Sequence, residues 1–210
     1  MRGKRKVHLL PQLVESIVGD KADVFILFAD LCNSSEYKKN CIDLNQPDVN
    51  WIFRQLFFLQ RAAEIVKKNN GQVVKTIGDE ILAVFAGTTN AENVLKCAIE
   101  IIQSFSNVKA YQGQSKIEAK TSIDFGVAYN GSIVNSVVFD PIGLPVDRCA
   151  RLNSLAKNNE VVFSEDFLAL ALANYSPGDF QKKYGYQTQL ENLKGFGITK
   201  IHRIDASYKQ

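Results

Sequence analysis

The sequence predicts an α+β domain in which one mostly antiparallel sheet carries packed helices. Apolar runs of strand length alternate with helical patterns, but they do so without the strict repeat of βαβ units. Asparagine-glycine turns at Asn70-Gly71 and Asn130-Gly131 separate periodic segments, as such turns do at helix ends and in hairpins. We expect a single domain over residues 1–210, with its core at about 22–205.

The first half of the chain predicts a buried strand, two strong helices and a hairpin. The run DVFILFA is almost continuously apolar, which is typical of a strand buried on both faces. The helix that begins near Trp51 has apolar residues at helical spacing and ends before Gly71. The predicted elements are a weak helix at 10–19, strand 23–29, helix 51–68, strand 72–77, bend 78–80, strand 81–85 and helix 90–105.

The second half predicts further strands and two helices. The turn Tyr129-Asn130-Gly131 is a hairpin signal, and Ser164 followed by two acidic residues is a typical helix start. The final segment, QTQLENLKGFGITKIHRI, reads as two strands around a glycine turn. The predicted elements are strand 116–128, strand 132–139, helix 146–155, strand 160–163, a helix from Ser164, and the two final strands.

Composition excludes several classes of function. The chain has 210 residues, 46% of them hydrophobic, and its net charge of +3 comes from scattered lysines and arginines, which argues against nucleic-acid binding. Its apolar runs are too short for a membrane span, and MRGKRKVHLLPQL lacks a signal-peptide core, so we expect a cytoplasmic protein. His8 and His202 are far apart, which disfavours a zinc site or a histidine triad. Free thiols are expected for Cys32, Cys41, Cys97 and Cys149.

Two carboxylates stand at the ends of predicted strands. Asp30 ends the first buried strand, and Asp79 lies at the bend of VVKTIGDEILAVF. If these elements are neighbours in the sheet, the carboxylates meet at one edge and repel each other unless a divalent cation lies between them. Two such ions can bridge a triphosphate and activate an attacking hydroxyl. The alternative is that Asp79 only caps the bend.

Five segments of the chain resemble motifs of the class III nucleotidyl cyclases, the adenylate and guanylate cyclase family. FADLCNSS resembles the family's FADIxGFT segment, and VVKTIGDEILAVF resembles its VxKxIGDxxxAVF hairpin. DPIGLPVDRCARLNSLAK resembles xxxGxxVNxAARLxxxAK, EVVFSEDFL resembles xIxVSExxxxxL, and LKGFGITKIHRI resembles LKGxxxxxxxYxV. The five follow in order from about residue 24 to 204, which makes them far more specific together than any one alone. The resemblance implies a ferredoxin-like, palm-type fold and an enzyme that makes a 3′,5′-cyclic nucleotide and pyrophosphate from a nucleoside triphosphate.

The resemblance also implies a metal centre. Asp30 and Asp79 match the family's two metal-binding aspartates, and the backbone carbonyl of Leu31 matches a third ligand. Two divalent cations, Mn²⁺ or Mg²⁺, are the implied cofactors.

Four further matches concern the substrate. Lys75 and Asp140 match the pair that reads the base in adenylyl cyclases, where guanylyl cyclases carry other residue types. Arg151 matches the arginine that stabilises charge on the α-phosphate, and Lys200 falls where the family keeps a lysine for the terminal phosphates. In the family, one chain supplies the two metal-binding aspartates. The other chain supplies the two residues that read the base and the arginine. The resemblance therefore implies a head-to-tail homodimer with two composite sites.

Asp147 departs from the family pattern, which usually has asparagine four residues before the arginine. An amide can donate a hydrogen bond to the ribose ring oxygen, whereas an ionised carboxylate cannot. A negative charge near a triphosphate is also unfavourable unless Arg148 or a metal neutralises it. Asp147 is therefore either a catalytic residue in an altered mechanism or only a cap of its helix.

Lys75 and Asp140 do not decide by themselves which base the substrate carries. A donor next to an acceptor suits adenine, but uracil and cytosine also offer such a pattern. Because a pyrimidine is shorter, a bulky side chain must fill the gap. The segment between Asp30 and Asp79 is longer than usual in the family and holds an aromatic cluster that serves either core or pocket: Trp51, Phe53, Phe57 and Phe58.

The organisation of the chain favours a pyrimidine cyclase. A bare catalytic domain resembles the stand-alone cyclases of bacterial anti-phage (Pycsar) systems, which make cCMP or cUMP for a separate effector. An adenylate cyclase that makes cAMP is the alternative.

A degenerate sensor domain is disfavoured because Asp30, Asp79 and Arg151 are all present. A diguanylate cyclase has a GGDEF-type turn where this chain has TIGDE, and the helix GLPVDRCARL fits mononucleotide cyclases better.

Overall fold

The computed structural model describes residues 21–106, 108, 116–131 and 139–207. These residues form one mixed sheet flanked by helices, which confirms the predicted α+β class with a mostly antiparallel sheet. The strands are β1 (Lys21–Leu31), β2 (Gln72–Ile77), β3 (Glu80–Ala86), β4 (Ala119–Asn130), β5 (Pro141–Ile142), β6 (Glu160–Ser164), β7 (Gln187–Leu193) and β8 (Gly197–Asp205). The helices are α1 (Ser34–Asp43), α2 (Val49–Lys68), α3 (Ala91–Gln103), α4 (Leu144–Leu155), α5 (Glu165–Ala171) and α6 (Pro177–Tyr184).

The sheet has the strand order β2-β3-β1-β4-β6-β8-β7, and β5 extends it by pairing with the end of β4. The β4–β6 pair is parallel, and the other pairs are antiparallel. At the centre, β1 pairs with β3 on one side and with β4 on the other. The register places Glu80 and Lys120 directly opposite Asp30, one on each side. This register therefore brings the three charged residues Asp30, Glu80 and Lys120 together on adjacent strands.

Helices cover both faces of the sheet. Phe25, Leu27 and Ala29 of β1 belong to a core that α2 and α3 complete, whereas Ile26 and Phe28 belong to a second core. The second core includes Cys149 of α4. Alternate residues of β1 therefore face opposite cores, which explains why its sequence is apolar at consecutive positions.

Local sequence signals account for the ends of several helices. Asn90 precedes α3, and its side chain accepts a hydrogen bond from the Glu92 amide. The predicted serine cap is confirmed, because the Ser164 side chain accepts from the Phe167 amide at the start of α5. Asn70, just after α2, has a φ of 62°, the left-handed conformation that commonly ends helices.

The structure also contains elements that the sequence patterns did not indicate. Helix α1 lies in a segment for which no element was predicted, and Cys41 is its one buried residue. Helix α6, whose Ser176 side chain caps the first turn, was not anticipated either. The predicted helix 10–19 lies outside the described residues, as does the predicted strand 132–139 except for its last residue. The described partner of β4 in that hairpin is β5.

The four cysteines are free and buried, as expected. No helix in the described ranges combines the length and the apolar character needed to cross a bilayer.

Candidate active site

Asp30 and Asp79 lie at the same edge of the sheet. Asp30 is the penultimate residue of β1, and the next amide, that of Leu31, donates to the Asp79 carbonyl over 3.3 Å. Gly78 has a φ of 64°, a conformation that favours glycine and allows the tight bend between β2 and β3. Glu80 follows the bend and faces Asp30 across the strand pair. We call Asp30, Asp79 and Glu80 the carboxylate edge.

Negative charge accumulates at the carboxylate edge. Burial raises the pKa of Asp30 above its ordinary value, Lys120 opposes this shift, and Asp79 adds to it. Burial also raises the pKa of Glu80 to about 7, with a further increase from the charge of Asp30. A cation at this edge would stabilise the ionised carboxylates and so lower the pKa of Asp30 and that of Glu80.

The donor atoms at the edge are those that hard divalent cations prefer. Carboxylate oxygens of Asp30 and Asp79 and the carbonyl of Leu31 are oxygen ligands, which suit Mg²⁺ and Mn²⁺. Within the described part of the chain, no three histidine, cysteine or acidic side chains converge to hold a metal by themselves. Such ions would therefore need water or phosphate oxygens to complete their shells, as Mg²⁺ bound with nucleotides commonly does.

Two contacts of the carboxylate edge were missed by the sequence analysis. Lys120 of β4 forms an ion pair with Asp30, with Nζ 3.3 Å from Oδ2. Asn153 of α4 is 4% exposed, and its Nδ2 donates to Glu80 Oε1 over 2.7 Å. Both contacts depend on pairing and packing between distant segments, so no local sequence signal indicates them.

Lys75 and Asp140 are in direct contact. Lys75 Nζ donates to both carboxylate oxygens of Asp140, each over 2.9 Å. Asp140 is fixed by the end of β4, because the Gly131 amide donates to its carbonyl over 2.7 Å and its own amide donates to Asn130 Oδ1. The side chains of Lys75 and Asp140 are 47% and 31% exposed, so a ligand can reach them.

Helix α4 carries Asp147 in its first turn, but Asp147 is not the cap. The N-cap residue is Gly143, with no side-chain hydrogen bond at the cap, so the capping explanation for Asp147 is not supported. Arg148 does not neutralise Asp147, since its guanidinium binds the buried carboxylate of Asp124 at 2.6 and 2.8 Å. Asp147 is thus an exposed carboxylate one turn before Arg151.

Arg151 and Lys200 make no described contact with the carboxylate edge. The Arg151 side chain is exposed and forms no hydrogen bond or ion pair with another described residue. Lys200 of β8 forms an ion pair with Glu165 at 2.9 Å. Because β4 and β6 separate β8 from β1, a strand spacing of about 4.8 Å puts β8 roughly 14 Å from Asp30's strand.

The aromatic residues of α2 divide between the core and the surface. Phe58 is fully buried, and Phe57 packs against the same core. Phe53 is 58% exposed and stacks on Phe57, with ring centroids 5.9 Å apart. Trp51 lies under the ammonium of Lys38, 4.1 Å from its ring centroid. Of the two alternatives for this aromatic cluster, the core therefore holds for Phe57 and Phe58, whereas Phe53 is largely exposed.

Comparison with known proteins identifies the family. A family model described as the adenylate and guanylate cyclase catalytic domain matches residues 18–199. The chain belongs to this family, and it is a nucleotidyl cyclase catalytic domain. A search of curated proteins by sequence finds no match.

Solved structures of cyclases share the fold. The guanylate cyclase domain of RhGC from Catenaria anguillulae, in complex with GTP, has a TM-score of 0.69 and 17% identity, covering 88% of this chain and 97% of that one. The guanylyl cyclase Cya2 has a TM-score of 0.71 and 18% identity, with coverage of 88% and 92%. The adenylyl cyclase CyaB from P. aeruginosa has a TM-score of 0.66 and 17% identity, with coverage of 88% and 94%.

Proposed function

We propose that this nucleotidyl cyclase works as a head-to-tail homodimer and that its favoured substrate is a pyrimidine nucleoside triphosphate. The contact between Lys75 and Asp140 supports a base that offers an acceptor beside a donor, as both pyrimidines and adenine do. The start of α2 beside the hairpin bend favours a pyrimidine among these bases. The product is cUMP or cCMP, a second messenger that a separate effector would read in anti-phage defence.

The reaction requires positioning more than covalent chemistry from the protein. The ribose 3′-oxygen forms a bond to the α-phosphorus as the bond from that phosphorus to the bridging oxygen of pyrophosphate breaks, and the 3′-hydroxyl proton is released. Two divalent cations held by Asp30, Asp79 and the Leu31 carbonyl would supply activation of the hydroxyl and neutralise charge on the leaving group.

The remaining roles fall to two cationic side chains. The Arg151 guanidinium would stabilise the charge that develops on the α-phosphate, which is a contribution that only the transition state receives in full. Lys200 would hold the terminal phosphates after leaving its ion pair with Glu165. Asp147 would lie beside the ribose, where its carboxylate accepts a hydrogen bond instead of donating one.

A second copy of the chain is required to complete this site. Lys200 lies three strands away from Asp30, and Arg151 projects into solvent without a described partner. Near the start of α4, the apolar side chains of Ile142 and Leu144 are 51% and 72% exposed and would be available to a partner subunit. A head-to-tail dimer brings the Arg151 side of one copy to the carboxylate edge of the other.

The Lys75–Asp140 pair restricts the base but does not select it alone. The lysine can donate to uracil O4 while the aspartate accepts from N3–H, and cytosine or adenine offers a ring nitrogen and an exocyclic amine instead. Guanine also offers O6 and N1–H, but it adds a 2-amino group that needs a further acceptor. Guanylyl cyclases carry other residue types at these two positions, which argues against GTP.

The two helices between Asp30 and Asp79, α1 and α2, are an argument for a base pocket too short for a purine. Helix α2 lies against the hairpin bend, because Gln55 Nε2 donates to the Gly78 carbonyl over 2.8 Å. In the proposed head-to-tail dimer, the bend would face the base-reading lysine and aspartate of the other copy. The bulky residues near the start of α2 would then border the space for the substrate base. A bulky neighbour favours the smaller pyrimidine ring over a purine.

ATP is the second candidate. The same donor and acceptor match adenine N1 and N6, and one structure that shares the fold is an adenylyl cyclase. The matched solved structures named above are described as guanylyl or adenylyl cyclases, so these relatives favour a purine.

The deciding experiment is a substrate panel. Purified protein is incubated with Mn²⁺ and each of the four nucleoside triphosphates, and the products are identified by mass spectrometry. We expect the highest kcat/KM with UTP or CTP and a product that contains one nucleotide. Preferential conversion of ATP would restore the adenylate cyclase function, and absence of product from all four would indicate a sensor domain. The double variant Asp30→Ala, Asp79→Ala serves as the inactive control.

A further inference from the structure

Lys120 is a lysine held at the carboxylate edge by the sheet itself. It lies opposite Asp30 in the β1–β4 register, and β4 is a central strand paired on its other side with β6. Its Nζ is 3.3 Å from Asp30 Oδ2, and the two side chains are only 20% and 23% exposed. The ammonium is therefore confined near the carboxylate, unlike a surface lysine that samples solvent freely.

The charges at this edge are unequal. Three carboxylates, those of Asp30, Asp79 and Glu80, share the edge, and in the described ranges Lys120 provides the ion pair to them. Glu80 is held by a neutral amide, that of Asn153. One ammonium thus offsets only part of the negative charge of this edge, which leaves the edge attractive to further positive charge.

A divalent cation on Asp30 would compete with Lys120 for the same carboxylate. Two cations that share one carboxylate repel each other, so the lysine must move away when the ion binds. Its four-carbon stem allows the ammonium to move while the strand stays fixed. Once displaced at a site that binds a triphosphate, the ammonium has an anionic partner in the phosphates.

We propose that Lys120 is a positioning residue that occupies the metal site in the absence of nucleotide and makes tight metal binding depend on the triphosphate. This inference rests on the proposed function, because it assumes that Asp30 and Asp79 are metal ligands. Lys120 weakens metal binding to the free enzyme and strengthens it in the ternary complex.

Direct measurement of Mn²⁺ binding tests this role without reference to turnover. Electron paramagnetic resonance of free Mn²⁺ gives the Kd for the full chain, with and without a triphosphate analogue that cannot cyclise because it lacks the 3′-hydroxyl. The informative variant is Lys120→Met, which keeps the apolar stem and removes the charge. Lys120→Arg keeps the charge, and Lys116→Met removes the charge of an exposed lysine four residues earlier.

Without nucleotide, we expect Lys120→Met to bind Mn²⁺ about five- to ten-fold more tightly than the wild type. Lys120→Arg and Lys116→Met should stay within about two-fold of the wild-type Kd. Adding the analogue should tighten Mn²⁺ binding more in the wild type than in Lys120→Met. An unchanged or weaker Mn²⁺ affinity in folded Lys120→Met would overturn the inference. If that variant does not fold, Lys120→Gln is judged by the same criteria.

A separate variant distinguishes this inference from the proposed function. Asp79→Asn should lose Mn²⁺ binding if the carboxylate edge is the metal site. Loss of binding in Asp79→Asn together with wild-type affinity in Lys120→Met would overturn only the role of Lys120. Wild-type binding in Asp79→Asn would overturn the metal site itself and the inference with it.

Discussion

The Lys75 ammonium lies 2.9 Å from each carboxylate oxygen of Asp140, although the two residues are 65 positions apart in sequence. In the free chain each side chain satisfies the other. A bound base would have to replace this contact with one hydrogen bond to each residue. The pair is therefore expected to act in base selection and to contribute little to folding.

Substitution of this pair should change substrate recognition but not stability. Lys75→Met removes the donor, and we expect KM for the preferred triphosphate to rise by about ten-fold, equivalent to one lost charge-assisted hydrogen bond. Because the ion pair is exposed, the free energy of unfolding should change by less than about 1 kcal/mol. Steady-state kinetics with urea unfolding tests both points, and Lys67→Met is a control on the last turn of α2. A large loss of stability with unchanged KM would show that the pair is structural.

The metal half of the site should be essential for turnover. Asp30→Ala and Asp79→Ala are each expected to abolish product formation, since either change would remove a proposed ligand of the ions that activate the hydroxyl. Asp23→Ala, at the other end of β1, is the matched control, because the described contacts of Asp23 are made by its backbone. Product formation is followed with Mn²⁺ present, and size-exclusion chromatography checks that the dimer persists. Retained activity in Asp79→Ala would contradict the assigned role.

Arg151 should act on the chemical step. We expect Arg151→Ala to lower kcat by about 100-fold or more, as the loss of a preorganised transition-state contact does. KM should change by no more than about three-fold, because the ground state gains little from this residue. Lys157→Ala, an exposed cation just beyond α4, controls for the loss of a positive charge. A raised KM with unchanged kcat would assign Arg151 to substrate binding instead.

Acid should weaken the contact between α3 and α6 that Glu92 makes. Its carboxylate accepts hydrogen bonds from Lys183 Nζ and Tyr184 Oη, both over 2.7 Å. These contacts, with that of Lys183 the largest, lower the pKa of Glu92 from an ordinary 4.5 to about 2. A carboxyl group with a lower pKa in the folded state stabilises the protein above the unfolded value, and this contribution is lost as the pH falls from about 4.5 to about 2.

Urea unfolding at pH 7, 4.5 and 3 measures that contribution. The free energy of unfolding of the wild type should fall more steeply below pH 4.5 than that of Glu92→Gln. Glu36→Gln, at an exposed acidic residue in the first turn of α1, should follow the wild type. Parallel curves for the wild type and Glu92→Gln would contradict the assignment.

The sequence was sufficient for the elements whose signals are local. The continuous apolar run before Asp30 indicated a central strand, and the bend at Gly78 indicated the hairpin. The sequence predicted that Asp30 and Asp79 meet at one edge if these elements are neighbours, and the pairing of β1 with β3 shows that they are. The capping residue Ser164 is another signal that a few neighbouring residues determine.

Other parts of the site depend on long-range packing. Lys120 meets Asp30 only because β4 pairs with β1 in one register, and a shift of one residue would place it on the other face. The Asn153–Glu80 hydrogen bond requires α4 to pack beside the hairpin, and these residues are 73 positions apart. Helix α1 was missed because its sequence is polar and tertiary contact, rather than an apolar stripe, keeps it folded.

Complementation between two inactive variants tests the central claim of a shared site most directly. Asp79→Ala removes a proposed metal ligand, so its homodimer should be inactive. Arg151→Ala removes the proposed transition-state arginine, so its homodimer should be at least about 100-fold slower than the wild type. The two variants are mixed in equal amounts, dissociated and allowed to reassociate. About half of the dimers are then hybrids, and each hybrid has one intact site of two. The mixture should therefore show about a quarter of the wild-type activity. No activity in a mixture shown to contain hybrid dimers would contradict the composite site.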